Sequence, residues 1–212
     1  MTISQEPMWR WVLLPLLAYL IGSIPWGLVL SRVRESRDIR RLGSGNIGAT
    51  NVARQFGVRL GSLTLVGDCL KGTLPVLVSL AAPSSMGPWK EPYACLVALA
   101  AFLGHLYPVF TRWKGGGKGV ATAAGGLLVL SPGGFVVSVL VFALIFCISD
   151  RISAASLVSS AAAPCVFWGV THSPVLAATT GLIAIMIWVR HRDNILRLLT
   201  GREPRFRPKR PS

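Results

Sequence analysis

Long runs without a charged residue restrict the fold of this chain more than any other feature of its sequence. Residues 119–149 and 152–189 contain no Lys, Arg, Asp or Glu. A helix crosses the hydrocarbon core of a bilayer, about 30 Å thick, in about 20 residues, so each run is too long for one ordinary crossing. Only 14% of all residues are charged, compared with about 25% in soluble domains. The sequence therefore predicts an all-α, polytopic membrane protein.

Turn sequences divide the apolar runs into seven predicted membrane spans. SPGG at 131–134 and THSP at 171–174 each lie inside a run of double length. Residues 119–130 are short and rich in Ala and Gly, so they form either a short helix packed through small residues or a re-entrant segment. Within a single domain comprising residues 1–212, the predicted spans are 9–31, 60–82, 92–111, 119–130, 133–149, 153–170 and 174–190.

Basic residues predict the orientation of these spans. The chain has 22 Lys and Arg residues and a net charge of +14. If the N-terminus is outside, Arg10 and Lys90 lie outside and Lys71 lies within a span, which leaves 22 − 3 = 19 cations on the cytoplasmic side. This arrangement obeys the positive-inside rule, whereas a single crossing of 119–149 would place the basic C-terminal tail outside. Because the cations lie between apolar runs, they indicate a membrane and no nucleic acid partner.

The segment LGSGNIGATNVAR at residues 42–54 is the most distinctive polar sequence. Its glycines allow backbone N–H groups to approach an anion, and Arg54 provides a fixed positive charge suited to phosphate. A plain glycine-rich surface loop is the alternative interpretation. The candidate phosphate ligands in this segment are Ser44, Gly45, Asn46, Asn51 and Arg54.

A second glycine loop, RWKGGGKG, occupies residues 112–119. It is no Walker A motif, because Gly119 stands where Ser or Thr should follow the lysine. It is either a phosphate-binding turn or a basic loop that only sets membrane orientation. Its candidate ligands are Gly116, Gly117 and Lys118.

Charged residues inside predicted spans are further candidates, since a buried charge in a membrane is costly. Asp68 and Lys71 are three residues apart and share a helix face, so they can pair within the membrane. Their charges are either part of the functional site or an ion pair that only orients the helix. His105 is either a functional or a packing histidine. The four cysteines lie in apolar runs without a C-x-x-C pair and are expected to be small buried residues.

Three candidates lie near the ends of the last two spans. His191 and Asn194 are three residues apart at the end of the seventh span, and Ser153 begins the sixth as either a helix N-cap or a ligand. Asp150 and Asp193 are isolated, so no metal site and no cofactor are predicted. With seven spans, every polar motif reaches the cytoplasmic boundary, which predicts one site for the phosphate groups of an amphiphilic substrate.

Several of these motifs together resemble the bacterial acyl-phosphate:glycerol-3-phosphate acyltransferase family (PlsY type). The matching sequences are GSIPWG at 22–27, SGNIGATNVAR, DCLKGTLP, GHLYPVF, KGVATA and HRDNILRLLTGRE. The resemblance implies a seven-helix enzyme that transfers an acyl group from acyl-phosphate to the 1-hydroxyl of glycerol 3-phosphate. The products are 1-acyl-glycerol 3-phosphate (lysophosphatidic acid) and phosphate, in the first step of phospholipid synthesis. The H-x-x-x-x-D dyad of other acyltransferases is absent from this sequence.

The resemblance also implies roles for individual residues. Ser44, Arg54, Lys118, Ser153, His191 and Asn194 match the phosphate-site positions of the family. Of these, Arg54, Lys118 and His191 are the expected catalytic residues, and Asp68, Lys71 and His105 support them. The base is the phosphate of the donor, His191 or His105. The chain departs from the family where KGGGKG replaces the usual KGGKG and where Asp150-Arg151 replaces Arg-Tyr.

Localisation and partners follow from the same resemblance. A monomer in the bacterial plasma (inner) membrane, with its active site on the cytoplasmic face, is expected to act beside an enzyme that forms acyl-phosphate. The tail, residues 202–212, is expected in solution or on anionic lipid headgroups, without a catalytic role. A transporter or channel for phosphate esters is the alternative function. It is less favoured, because transporters bind near the bilayer midplane and often contain repeats, and this sequence has no evident repeat.

Overall fold

A computed structural model of the chain describes residues 8–81 and 84–206. All regular secondary structure in these ranges is helical, as predicted. The α-helices are α1 Met8–Gly22, α2 Trp26–Glu35, α3 Ala49–Phe56, α4 Val58–Leu80, α5 Lys90–Leu106, α6 Val120–Leu130, α7 Pro132–Ser149, α8 Ile152–Thr171, α9 Pro174–Arg190 and α10 Arg192–Leu199. Short 3-10 helices occupy Ile39–Arg41, Ser84–Trp89 and Val109–Thr111. The predicted tail beyond Phe206 and the last residue of the second predicted span lie outside the described residues.

Five segments are long and apolar enough to cross a membrane. Within the described ranges they are Trp11–Glu35, Val58–Leu80, Met86–Thr111, Pro132–Ser149 and Ile152–Thr171. A sixth is added if α9 and α10, which meet at an angle of 65°, form one bent span. Helix α6 has only 11 residues. The chain is therefore a multi-pass α-helical protein, while its seven spans and the orientation of its termini stay predictions.

The chain divides into two compact units, residues 1–130 and 131–212. In the first unit α1 packs on α5, and α4 packs on α3, α5 and α6. Glycines allow the closest approaches: a Cβ on Gly72 of α4 would overlap the Thr122 carbonyl of α6, and a Cβ on Gly125 of α6 would overlap the Cys69 carbonyl of α4. Helix α6 thus packs on α4 through small residues, while its crossing of the membrane stays a prediction.

The first predicted span, residues 9–31, consists of two helices. Helix α1 ends at Gly22 and α2 begins after Pro25, which has no N–H to continue the helical hydrogen bonds. The Ile24 carbonyl in this break accepts a hydrogen bond from Lys71 Nζ of α4, at 2.9 Å. The break therefore exposes a backbone acceptor to the buried lysine of another helix.

In the second unit, α8 packs between α7 and α9. The turn predicted at THSP is confirmed, since α8 ends at Thr171 and α9 starts at Pro174 with Ser173 as its N-cap. The only buried residue that the structure describes on α7 is Gly134, as expected for a helix that faces lipid. The prediction that all cysteines are buried is wrong, because Cys147 and Cys165 lie on exposed faces of α7 and α8.

Candidate active site

The loop before α3 is shaped by Asn51. The Asn51 amide donates to the carbonyls of Leu42 and Asn46, at 3.1 and 2.9 Å, and its Oδ1 accepts from the Ser44 N–H at 3.2 Å. Since the amide has two N–H donors, both are used inside the loop. Asn51 is 4% exposed. These contacts show that Asn51 holds the loop in shape, while its predicted place among the phosphate-binding residues stays a prediction.

Other residues of this loop present groups at its surface. Gly43 and Gly45 adopt φ angles of +54° and +70°, in the left-handed region that favours glycine. Ser44 is exposed, and no side chain caps the N-terminus of α3. Uncapped N–H groups at a helix N-terminus favour anions. Arg54 is exposed on the last turn of α3.

A small apolar core holds this loop and α3 in place. Its buried members, which come from α2, the following 3-10 helix, the loop, α3 and α4, are Leu28, Ile39, Ile47, Val52 and Leu60. A Cβ on Gly61 of α4 would overlap Ala53 of α3, so the two helices lie in close contact. The loop is consequently held on the N-terminal part of α4.

The second glycine loop packs directly on the C-terminal turns of α5. A Cβ on Gly116 would overlap the Leu106 carbonyl, one on Gly117 would overlap His105 Nε2, and one on Gly119 would overlap the Phe102 ring. The Gly117 N–H also donates to the His105 carbonyl at 3.1 Å. Only glycine fits these contacts without displacing α5. The glycines therefore bring the backbone that carries Lys118 close to the buried end of α5.

The two lysines of this loop differ in their surroundings. Lys114 is exposed, whereas Lys118 is half-buried just before α6.

The same loop is attached to α1, because the Trp113 indole donates to the Tyr19 hydroxyl at 2.9 Å and that hydroxyl donates to the Tyr107 carbonyl at 2.7 Å. Tyr19 and Trp113 were not among the sequence candidates, since nothing in their spacing indicates a contact between residues 94 positions apart.

Asp68, Lys71 and His105 form one buried cluster, and each is 2% or 3% exposed. Lys71 Nζ lies 3.0 Å and His105 Nδ1 lies 3.5 Å from Asp68 Oδ1. The predicted pairing of Asp68 with Lys71 is confirmed. His105 lies between this pair and the second glycine loop, because its Nδ1 is near Asp68 and its Nε2 lies against Gly117. In the first unit, the structure therefore brings the supporting candidates and the second loop together.

The second unit contains a separate polar cluster around Glu203. Its Oε1 accepts hydrogen bonds from Ser153 Oγ at 2.7 Å and Asn194 Nδ2 at 2.6 Å, and its Oε2 accepts from Arg197 Nε at 2.7 Å. Glu203 is 6% exposed. Burial alone raises the pKa of this carboxyl. The three hydrogen bonds and the charge of Arg197 outweigh that effect, so the pKa lies below its ordinary range.

These contacts correct two predictions. Ser153 is not the N-cap of α8, since that position is occupied by Arg151 and the Ser153 hydroxyl binds Glu203. The tail is not simply in solvent or at lipid headgroups from residue 202 onward, because Glu203 is buried and the Phe206 N–H donates to the Asp150 carbonyl at 2.8 Å. A single acidic residue among the arginines of the C-terminal segment is the sequence signal that would have identified Glu203.

His191 lies at the junction between α9 and α10 and is 3% exposed. Its Nδ1 is 2.8 Å from the Ile187 carbonyl oxygen. A carbonyl oxygen can only accept, so Nδ1 carries a hydrogen and Nε2 carries the lone pair of the neutral ring. This tautomer lets Nε2 accept a proton, and the protonated ring would donate from the same atom.

Among the described residues, no group of three or more His, Cys, Asp and Glu side chains is arranged for a metal ion.

Comparison with known proteins identifies the family. The family model for glycerol-3-phosphate acyltransferase matches residues 12–201. The glycerol-3-phosphate acyltransferase of Syntrophotalea carbinolica is 47% identical over 192 residues, which cover 91% of this chain and 95% of that protein. The enzyme of the same name from Geobacter sulfurreducens is 45% identical over 196 residues, which cover 92% of this chain and 97% of that protein.

Two solved structures are similar over nearly the whole chain. The glycerol 3-phosphate form of PlsY (YgiH), an integral membrane glycerol 3-phosphate acyltransferase, has a TM-score of 0.86 and 39% identity and covers 93% of this chain and 96% of its own. The lysophosphatidic acid form has a TM-score of 0.82 and 38% identity, with coverages of 92% and 95%. The resemblance seen in the motifs is thus confirmed: the chain belongs to the glycerol-3-phosphate acyltransferase family.

Proposed function

We propose that this protein transfers an acyl group from acyl-phosphate to the 1-hydroxyl of glycerol 3-phosphate, which yields lysophosphatidic acid and inorganic phosphate. The hydroxyl oxygen attacks the acyl carbonyl carbon, the bond from that carbon to the phosphate oxygen breaks, and the hydroxyl loses its proton to a base. Family membership supports the acyl acceptor. It also favours an enzyme over a transporter of phosphate esters.

The observation that carries the proposal is the packing of the second glycine loop. Three glycines hold backbone amides and the half-buried Lys118 against the end of α5. Fixed N–H groups beside a cation suit a phosphate group and the negative charge that develops during acyl transfer. Because phosphate is a good leaving group, orientation and charge stabilisation are the main tasks left to the protein.

We assign the remaining residues by their matches to the family motifs. Arg54 and Ser44, with the backbone of Gly45 and Asn46, bind phosphate in the first unit. Ser153, His191 and Asn194 of the second unit serve the same reaction. The proton of the attacking hydroxyl goes either to the phosphate of the donor or to Nε2 of His191, which carries the lone pair of the neutral ring.

Orientation and partners are part of the proposal. We place the two glycine loops on the cytoplasmic face of the bacterial inner membrane, because this choice leaves 19 of the 22 basic side chains on that face. The protein is proposed to act as a monomer that receives its donor from an acyl-phosphate-forming enzyme. No cofactor enters the proposed reaction.

The decisive experiment compares acyl donors. Purified protein in detergent receives glycerol 3-phosphate with either palmitoyl-phosphate or palmitoyl-CoA, and lysophosphatidic acid and released phosphate are measured together. We expect equal amounts of both products with palmitoyl-phosphate and no lysophosphatidic acid with palmitoyl-CoA. Turnover with palmitoyl-CoA alone would contradict the proposed donor, and phosphate release without lysophosphatidic acid would contradict acyl transfer to glycerol 3-phosphate.

A further inference from the structure

A groove of 820 Å³ lies in the first unit beside the break between α1 and α2. One part of its lining is apolar and includes Pro25, Val29 and Phe110. The other part contains three guanidinium groups, from Arg32, Arg40 and Arg112. Its volume falls in the range of roughly 300–1,000 Å³ that is usual for small-molecule sites. None of the phosphate-site candidates of the sequence analysis lines it.

Asp38 forms ion pairs with two of these arginines. Its carboxylate lies 2.9 Å from Arg32 Nη2 and 2.6 Å from Arg40 Nη2. The hydrogen bonds from Arg40 lower the pKa of Asp38 far below its ordinary range, so the carboxylate is charged at neutral pH. Arg112 comes from the segment after α5 and forms no ion pair with any residue that the structure describes. Three guanidinium groups and one carboxylate leave a local charge of 3 − 1 = +2.

The apolar part of the groove continues from these cations. Val29 is 39% exposed and Phe110 is 63% exposed. Helix α2 carries both Val29 and Arg32, so the change from apolar to cationic lining occurs within one turn. A ligand that fills the groove therefore needs an anionic head joined to an apolar chain. Guanidinium groups are well suited to bind the oxygens of a phosphate head.

We propose that this groove binds an anionic phospholipid of the surrounding bilayer, with the headgroup phosphate at Arg32, Arg40 and Arg112 and an acyl chain along Val29 and Phe110. The charge of +2 favours a headgroup with net negative charge over a zwitterionic one. The proposal concerns binding and does not depend on the proposed acyl transfer.

Native mass spectrometry of the purified, delipidated protein tests this site. Dioleoyl phosphatidylglycerol and dioleoyl phosphatidylcholine are titrated separately, so that the two probes differ only in the headgroup. We expect tighter binding of phosphatidylglycerol to the wild type. We further expect Arg112→Gln to weaken it by about tenfold, the effect of losing one charge-assisted contact worth roughly 1.4 kcal/mol. Arg112→Lys, which keeps the charge, should recover part of that loss.

Matched variants on α2 provide the controls. Arg34 and Val33 are exposed on the same helix but do not line the groove. Arg34→Gln is therefore the control for Arg112→Gln, and Val33→Ala is the control for Phe110→Ala. We expect each control to change the affinity for phosphatidylglycerol by less than about twofold, and Phe110→Ala to weaken it more than Val33→Ala does.

Three results would overturn the proposal. Equal binding of the two phospholipids would exclude recognition of headgroup charge. Equal losses in Arg112→Gln and Arg34→Gln would indicate a diffuse surface charge effect. Displacement of phosphatidylglycerol by lower concentrations of lysophosphatidic acid would assign the groove to an amphiphile of the proposed reaction. Because Arg112 is exposed, its variants are expected to fold, and Phe110→Ala tests the same groove without changing its charge.

Discussion

The cations of the two glycine loops can be tested one residue at a time, because each has a nearby control. Lys118 is half-buried, while Lys114 of the same loop is exposed; likewise Arg59 of α4 is an exposed control for Arg54. Removing one group that stabilises developing charge costs about 10²–10³ in rate. We expect kcat/KM with palmitoyl-phosphate to fall about 100-fold or more in Lys118→Ala and Arg54→Ala. Lys114→Ala and Arg59→Ala should stay within about threefold of the wild type, and normal turnover in Lys118→Ala would contradict the proposed phosphate site.

The buried cluster of Asp68, Lys71 and His105 allows its effects on folding and on activity to be separated. Asp68→Asn leaves the Lys71 ammonium buried without its carboxylate, and breaking a buried pair in this way costs about 3–5 kcal/mol. Adding Lys71→Met removes the unpaired charge, so most of the thermal stability in detergent should return. We expect kcat/KM to remain low in the double variant, because His105 beside Gly117 still lacks the carboxylate at its Nδ1.

The comparison of the two readouts decides the role of the cluster. If the double variant recovers both stability and kcat/KM, the three residues only stabilise the fold. If it recovers stability alone, Asp68 positions His105 and, through it, the second glycine loop.

Glu203 is expected to make stability depend on pH. The folded protein lowers the pKa of this carboxyl below its ordinary value of 4.5. The stabilisation is therefore fully present above about pH 4.5 and is lost as the pH falls through the lower value reached in the folded state. At pH 7 we expect Glu203→Gln to be less stable than the wild type by about 2–4 kcal/mol, since a buried acceptor of three hydrogen bonds loses its charge.

Unfolding temperatures in detergent, measured between pH 3 and pH 8, test this expectation. The difference between Glu203→Gln and the wild type should narrow below pH 4.5, as the wild-type carboxylate becomes protonated. Glu35→Gln, at an exposed position on α2, is the control and should behave as the wild type. A constant difference across this pH range would mean that the ionised form of Glu203 contributes nothing to stability.

At the residue scale, sequence reasoning succeeded where the chemistry is local. The spacing of Asp68 and Lys71 was enough to predict their ion pair, because residues three apart share a helix face. The sequence marked Asn51 as a candidate polar residue of the loop. Its hydrogen bonds go to backbone groups of Leu42, Ser44 and Asn46, and the sequence does not show which backbone groups of a loop need a side-chain partner. Glu203 stands out only as the single acidic residue among the arginines of its segment, and its three partners come from α8 and α10, a combination that no local pattern indicates.

At the element scale, the contact between α4 and α6 makes a direct prediction about stability. A Cβ on Gly72 would overlap the Thr122 carbonyl, and the backbone there cannot yield as a flexible side chain would. Gly72→Ala should therefore lower stability by about 1–3 kcal/mol, the usual cost of overpacking. Gly169 of α8 has no atom within 4 Å of an added Cβ, so Gly169→Ala should be neutral or stabilising by up to about 1 kcal/mol.

Thermal unfolding in detergent distinguishes the two glycines. The expected order is Gly169→Ala at or above the wild type, and Gly72→Ala clearly below it. Equal unfolding temperatures of the two variants would show that α4 and α6 can move apart without loss of stability. Their close approach would then not stabilise the first unit.

The elements themselves were predictable to different degrees. SPGG and THSP end helices for local reasons, because Ser caps the following helix and Pro begins it. The break before α2 also had a local signal in Pro25. The first predicted span is apolar on both sides of this proline, so hydropathy alone predicts a single helix there. The bend at His191 has no such signal; there the N–H and Nδ1 of the histidine itself satisfy carbonyls at the end of α9.

At the scale of the whole molecule, the position of α6 decides the topology. Its 11 residues span about 17 Å as a helix, much less than the roughly 30 Å of a bilayer core. If α6 crosses, the chain has seven spans and its basic C-terminal segment lies in the cytoplasm with the second glycine loop. If α6 does not cross, the C-terminal segment lies on the opposite side from that loop. The basic charge of that segment favours seven spans.

Cysteine labelling in a bacterial host tests this topology. A variant without the four native cysteines receives one new cysteine, through Lys90→Cys, Lys114→Cys or Arg202→Cys, and a membrane-impermeant thiol reagent is applied to spheroplasts and to inside-out vesicles. We expect labelling at position 90 only in spheroplasts and at positions 114 and 202 only in vesicles, because the positive-inside rule places both basic segments in the cytoplasm. Labelling of position 202 in spheroplasts, with position 114 labelled only in vesicles, would make α6 a re-entrant helix. Ser153 and His191 would then lie near the periplasmic face, which would contradict their proposed role in a reaction on the cytoplasmic side.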